Sequence, residues 1–294
     1  MLIHPTAIIH PSARLAAGVR VGPYAVIGAG VTLEENVSIG SGSQIGSDAL
    51  QPSSWSQLDD VVLAASVSVG AYCRITGKVA VGAGTEIFDG CRLRGTLAIG
   101  MKSQLFDNVV VGNPGQFPGH HQRNGRIEIG DRCVLREGVV VAQPILSPLT
   151  LVGADSYLMA RTQIDHDCLL GEAVKTGTGV TLGGSVEIGD HAYLGMNAVV
   201  HQRSVVGGHT MIGMNGVVMR HVPPYAVLVG RRFTKINRRG LEMKGWSAET
   251  LGAVESFYRT GKPGLEDDPD ETWKRPIRSF LDRIGSEEYE TLGR

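Results

Sequence analysis

The chain has 294 residues, 42% hydrophobic and only 5% aromatic, with 40 glycines and a formal net charge of −1. Near-neutrality gives no global field for nucleic acid, and no apolar run is long enough to span a membrane. Met1-Leu2-Ile3-His4-Pro5 lacks the basic region and apolar stretch of a secretory leader, so a cytoplasmic protein is expected.

From Ile3 an aliphatic residue recurs every six positions through Ile9, Leu15, Val21, Ile27, Leu33, Ile39 and Ile45. The beat resumes in the same phase from Leu63 to Val111, and again at Ile129, Leu135 and Val141. After a phase shift it runs from Val152 to Val218, slipping only at Thr176. Ordinary alternating strands cannot hold such a phase. Hexapeptide periodicity marks a parallel β-helix, with one inward aliphatic per short strand and glycine at the corners. The expected fold is all-β, a left-handed parallel β-helix over residues 1–224. Three hexapeptides per coil make about ten coils, a rod on the order of 50 Å long.

Three interruptions read as loops expelled from the coil. Residues 46–62 place polar side chains at the aliphatic steps, 113–126 are rich in Pro and Gly around Gln116 and Phe117, and Gln143 to Pro148 shift the phase. Loops on a rigid scaffold are where sites are usually built. Cys73, Cys91, Cys133 and Cys168 form no C-x-x-C pair, so neither zinc nor a disulfide framework is indicated, and Cys91 and Cys133 are expected as small apolar residues. His120-His121 is a weak metal candidate, and no metal site is assigned. Val222-Pro223-Pro224-Tyr225 ends the regular part because proline cannot donate to a ladder. Residues 225–294 are expected to be a helical cap. One helix starts at Ser247 as N-cap, Glu266 to Glu271 form a solvated acidic linker, and a last helix carries Trp273, Ile277, Phe280, Leu281 and Ile284.

A scaffold of this kind does not itself specify a function. A His-Asp dipeptide alone is far more often a surface turn than a catalytic pair. Here, however, Ile164-Asp165-His166-Asp167-Cys168, Ala198-Val199-Val200-His201-Gln202 and Val222-Pro223-Pro224-Tyr225 match, in order and spacing, the acyl-ACP:UDP-N-acetylglucosamine O-acyltransferases, which open lipid A synthesis. Asn237-x-x-Gly240-Leu241-x-x-Lys244-Gly245-Trp246-Ser247 resembles that family's C-terminal segment. The discriminating likeness covers residues 158 to 247; the remaining repeat is shared with many acyl- and acetyltransferases.

The resemblance implies a homotrimer with clefts between solenoids. The donor would be an acyl carrier protein and the acceptor a nucleotide sugar, with no cofactor. His166 corresponds to the general base and Asp167 to the residue that orients it. His201 corresponds to a histidine lining the acyl or pantetheine cleft, with Gln202 beside it; Asn237 and Lys244 fall at substrate-binding positions, Lys244 in the family's phosphate-contacting pair. Met214 stands where the family sets acyl length, a bulky residue there favouring chains near ten carbons over fourteen. Gln163 and Ser185 stand where the family has histidines, Met243 replaces an arginine, and the Q-D-L-K-Y loop has no counterpart. These departures alter the sugar-nucleotide contacts while keeping the transfer centre. His191, His209 and His221 match nothing and are expected to face solvent.

Three alternatives stay open. An acetyl-CoA-dependent hexapeptide transferase would lack the V-P-P-Y and G-L-x-x-K-G-W-S segments. A non-catalytic binding paralogue would account for Gln163, Ser185 and the missing loop motif. The zinc carbonic anhydrase of this fold needs an H-x-x-x-x-H pair, which this chain lacks.

Overall fold

The computed structural model describes residues 1–46, 59–119, 125–260 and 271–285. It is a left-handed parallel β-helix of triangular section with helices at its C-terminal end. Most coils contribute three short strands; in two others Arg74–Val81 and Arg92–Ile99 each merge the second and third strands into one. In uninterrupted coils a residue pairs with the one 18 positions later, as in Leu2↔Arg20 and Ile3↔Val21. The first face runs from Leu2–Ile3 to Ala226–Val229. The second runs from Ile8–Ile9 through Gln163–Ile164 to Val217–Val218, and the third from Arg14–Leu15 to Val205–Val206. From Arg20–Val21 onward every strand buries at least one residue, and Ile27, Leu63, Ile75, Leu135, Ile164 and Leu182 are all fully buried. Where the beat slips, Thr176 is also buried, and its hydroxyl lies 2.7 Å from that of Thr162. A lone polar step is tolerated because a second hydroxyl satisfies it.

The three interruptions share a corner. Each leaves the β-helix after a second-face strand and returns at a third-face strand, the corner that carries residues 165–168. The first is shorter than expected: Asp60–Leu63 is already a strand, so residues 60–62 belong to the ladder, and 47–58 lie outside the described residues. The His120-His121 pair and the acidic 266–270 stretch also lie outside them.

The proline pair does not end the sheet. Ala226–Val229 extends the first face, and Arg232–Ile236 pairs with it antiparallel. The strand of 226–229 can continue because both prolines precede it. Then come α1 (Arg238–Glu242), α2 (Ala248–Thr260) and α3 (Glu271–Ile284). The Ser247 hydroxyl accepts from Thr250 N at 3.1 Å, as an N-cap should. Leu241, Leu251, Val254, Trp273 and Ile277 bury against the last coils and cover their open edge. Among the described residues no helix is long and apolar enough to cross a membrane.

Of the sequence expectations on cysteine and histidine, the first holds, with Cys73, Cys91, Cys133 and Cys168 free and buried, and the second is corrected. Cys73 and Cys91, 18 residues apart, are neighbours on successive coils, and their thiols donate to backbone carbonyls, Cys73 to Phe88 O at 2.9 Å and Cys91 to Phe106 O at 3.1 Å. Of the histidines expected to face solvent, only His191 does. His221 is buried, its Nδ1 accepting from Val205 N at 3.0 Å. His209 packs between His191 (4.9 Å between centroids), Tyr225 (5.6 Å) and Trp246 (6.0 Å). The helical cap covers its corner.

Burial, reinforced by the charge of Lys244 and by His191, pushes the His209 pKa down from 6.5 to about 4. Above pH 6.5 the ring is neutral whether the chain is folded or unfolded. Between 6.5 and 4 only the unfolded chain takes up the proton, so stability falls as pH falls. The shift corresponds to at most on the order of 3 kcal/mol, reduced by solvent screening because the ring is not fully buried. A His209→Gln variant is expected to lose stability less steeply than wild type between pH 7 and 4.5 in denaturant titrations. Parallel profiles would refute this.

Candidate functional site

The chain leaves the second face at Gln163–Ile164, turns through Asp165-His166-Asp167, and enters the third face after Cys168. Asp167 takes the left-handed turn position, φ +62°. Aspartate tolerates this conformation better than most residues. The turn folds its carboxylate back onto the preceding residue, so His166 Nδ1 lies 2.6 Å from Asp167 Oδ2. Both side chains are buried, His166 with 6% exposure and Asp167 with 5%.

The shortest interruption supplies what the carboxylate needs. Asp167 Oδ1 accepts from the backbone N–H groups of Ile145 (3.0 Å), Leu146 (3.1 Å) and Ser147 (2.8 Å), and the Ser147 hydroxyl lies 2.9 Å away. Three successive amides form an anion-binding nest. Thr150 Oγ1 accepts from Asp167 N at 3.0 Å. Burial opposes the carboxylate charge, but the donors from Ser147, His166 and Leu146 outweigh it and hold the pKa below its usual value. Asp167 is therefore a fixed anion. It holds the Nδ1 proton and leaves Nε2 as the basic nitrogen.

Two further elements hold the imidazole. On the next coil, a Cβ added at Gly184 would stand 2.3 Å from His166 Cε1 and 2.5 Å from Nε2, so only glycine lets the ring lie there. On the other side lies the second interruption. Gly115 packs on His166 Cβ, the Phe117 ring is 5.6 Å from the imidazole, and Gln116 N approaches Asp165 Oδ1 at 3.4 Å. Asp165 Oδ1 also accepts from His166 N at 2.8 Å.

The remaining candidates distribute as follows. Gln163 is half-buried in the strand leading to the turn. Ser185 stacks on Asp167 one coil on, its N–H donating to His166 O at 2.8 Å. His201 and Gln202 are exposed at the same corner two coils on, about 10 Å along the axis. Met214 is 65% exposed at the opposite edge of the second face, with Met196, Val199 and Met219 also exposed nearby. Asn237 and Lys244 are not brought to His166 within this chain. The Asn237 side chain caps α1, accepting from Gly240 N at 3.2 Å, and donates to His209 O at 2.9 Å. Lys244 is exposed beside the His191 and His209 corner, its pKa lowered by partial burial and by Lys175. The nest of 145–147, Thr150 and Gly184 went unrecognised in the sequence. The phase shift at 143–148 and the Gly183-Gly184 pair were the available signals.

Residues 167–202 match the family model described as bacterial transferase hexapeptide (six repeats). The acyl-[acyl-carrier-protein]--UDP-N-acetylglucosamine O-acyltransferase of Thiobacillus denitrificans is 32% identical over 142 residues, 46% of this chain and 54% of that protein. The chain thus spans about half the length of that curated relative. Among solved structures, LpxA from Acinetobacter baumannii is 26% identical, with a TM-score of 0.58 and full coverage of both chains. The UDP-N-acetylglucosamine acyltransferase of Campylobacter jejuni is 20% identical with a TM-score of 0.63, covering 99% of this chain and 100% of that one; at that identity the likeness is one of fold.

Proposed function

We propose that this chain is a cytoplasmic acyltransferase that moves a 3-hydroxyacyl chain from acyl-ACP to the 3-position of a UDP-amino sugar, early in lipid A synthesis. The observation that carries the reading is the buried His166–Asp167 pair, with its carboxylate held by the 145–147 nest. The likeness to O-acyltransferases across this segment supports it. A thioester is already activated, so the reaction needs a base and no cofactor. His166 Nε2 takes the proton from the acceptor hydroxyl as its oxygen attacks the thioester carbonyl. The C–S bond breaks, and the departing thiolate recovers the proton from the imidazolium. Asp167 stabilises that cation without becoming protonated.

The test is product formation by mass spectrometry from acyl-ACP with UDP-N-acetylglucosamine or its 3-amino analogue, with acetyl-CoA as a separate donor. Absence of acyl transfer to either sugar would refute the reading. The working unit is proposed to be a homotrimer with His166 of each chain in a cleft against its neighbour, where Lys244 and Asn237 could serve an adjacent site. A monomer in equilibrium sedimentation at micromolar concentration would remove that cleft.

The exposed strip of Met196, Val199 and Met214 supports an acyl groove along the second face. With Met214 as its end stop, each excluded methylene forfeits about 0.8 kcal/mol of burial, so a few carbons shift preference more than about a hundredfold. Met214→Gly is expected to lengthen the preferred donor. An unchanged profile across an acyl-ACP series would show that Met214 is not the stop.

A further inference from the structure

The two coils between the first and second interruptions lack the usual corner. Arg74–Val81 and Arg92–Ile99 each run straight from the second face into the third as eight-residue strands. Gly77 and Gly95 make this possible with φ of +101° and +91°; a Cβ at Gly77 would stand 2.5 Å from Gly95 O. The result is a flat ledge on the corner that, farther along, carries His166.

The ledge carries a cluster of cations, with Asp60 opposite Lys78 on the preceding strand as an acidic neighbour. Arg74 and Arg92 are in register on adjacent strands, both exposed, and Arg94 and Lys78 are exposed on the same two strands. Among the described residues no salt bridge reaches any of the four. Like charges directly opposite one another on neighbouring strands destabilise a sheet, so this arrangement disfavours the isolated chain. In a chain of net charge −1 it is a local concentration, not a reflection of overall basicity. Tyr72, 75% exposed, stands at the edge beside Arg74. Arginine and tyrosine together are the composition enriched in protein interfaces. Arg92 is three strand steps from Gln163, through Val110 and Val140, about 14 Å along the axis.

We propose that this ledge docks an acidic face of the acyl carrier protein. The proposal rests on the acyl-transfer reading above. A carrier presents its thioester at the end of a flexible prosthetic arm, so its docking surface should lie an arm's length from the base, not upon it. The ledge meets that condition, and arginine suits carboxylates because its planar fork binds them bidentately.

The experiment compares wild type with Arg74→Gln/Arg92→Gln, using one acyl chain presented either on the carrier or as its pantetheine thioester. Loss of rim charges acts on encounter and is screened by salt. The expected result is roughly a 10-fold fall in kcat/KM for the carrier-borne donor at low salt. The pantetheine donor should be unaffected, and the gap should close near about 0.5 M salt. Arg74→Lys/Arg92→Lys should restore much of the loss. Unchanged carrier kinetics, equal losses on both donors, a raised KM for the sugar nucleotide, or a changed oligomeric state would each overturn the proposal. If wild type transfers from neither donor, the acyl-transfer reading fails by itself. Calorimetric titration of the carrier protein into wild type and variant then decides the ledge, and absence of wild-type binding overturns it.

Discussion

Replacing His166 with alanine is expected to lower acyl transfer by ~10²–10⁴-fold while the fold survives. The rate effect follows from the chemistry. In the proposed reaction the imidazole is the base, so without it the acceptor hydroxyl must lose its proton to water. The fold should survive because the coil's aliphatic ladder does not pass through His166. Ile164 and Leu170, on either side of it, stay buried. Asp167 keeps its donors from Ile145, Leu146 and Ser147, so no buried charge is stranded. The space is left between Gly184 and Phe117, outside the aliphatic ladder, for a stability loss of roughly 1–3 kcal/mol. Steady-state kinetics with saturating donor and acceptor, together with thermal unfolding, test both halves. Activity within threefold of wild type would remove His166 from the mechanism, whereas loss of the folded state would leave the kinetics unable to support it.

The rod was legible because its physics is periodic. Each coil repeats one inward aliphatic per strand, so side chains 18 residues apart are neighbours and the register could be counted directly. His166 and Asp167 were legible because both lie within one turn and one motif. What escaped the sequence reading was held by contacts without a period. The nest at 145–147 reaches Asp167 from about 20 residues upstream by backbone N–H groups, which carry no side-chain signature. Gly184 looked like one more corner glycine; its role is visible only when the imidazole is in place. His209 was misjudged because Tyr225 and Trp246, from the segment beyond the regular coils, pack on it, and His221 because its ring turns in to accept from Val205 N. The register that counts the aliphatics also makes Cys73 and Cys91 neighbours, yet their distance in sequence conceals it.

In the proposed mechanism Asp167 orients the base without taking the proton, and Asp167→Asn isolates that role. Asparagine adopts the left-handed turn as readily as aspartate, so the φ of +62° adds no strain. Its amide oxygen can still accept from the amides of 145–147, so the loop remains anchored. The difference falls on the imidazole. The Nδ2 amide now donates toward His166 Nδ1, which must become the acceptor, and the ring proton moves to Nε2. The nitrogen facing the acceptor then carries a proton and cannot take another. The same exchange in a catalytic triad lowers kcat by about 10⁴. A loss of ~10²–10⁴ in kcat is therefore expected, with KM nearly unchanged and stability down by about 1 kcal/mol as charge-assisted bonds become neutral ones. Asp167→Ala should behave differently. It removes the acceptor for three amides and forces alanine into a left-handed turn, for a stability loss of roughly 2–4 kcal/mol. Its imidazole is freed to adopt either tautomer, so its kcat should fall less than that of the asparagine variant. That inversion, with the milder substitution the more damaging to rate and the harsher one to stability, is the signature of tautomer control. Equal kcat losses in the two variants would mean that Asp167 acts only by holding the loop in place.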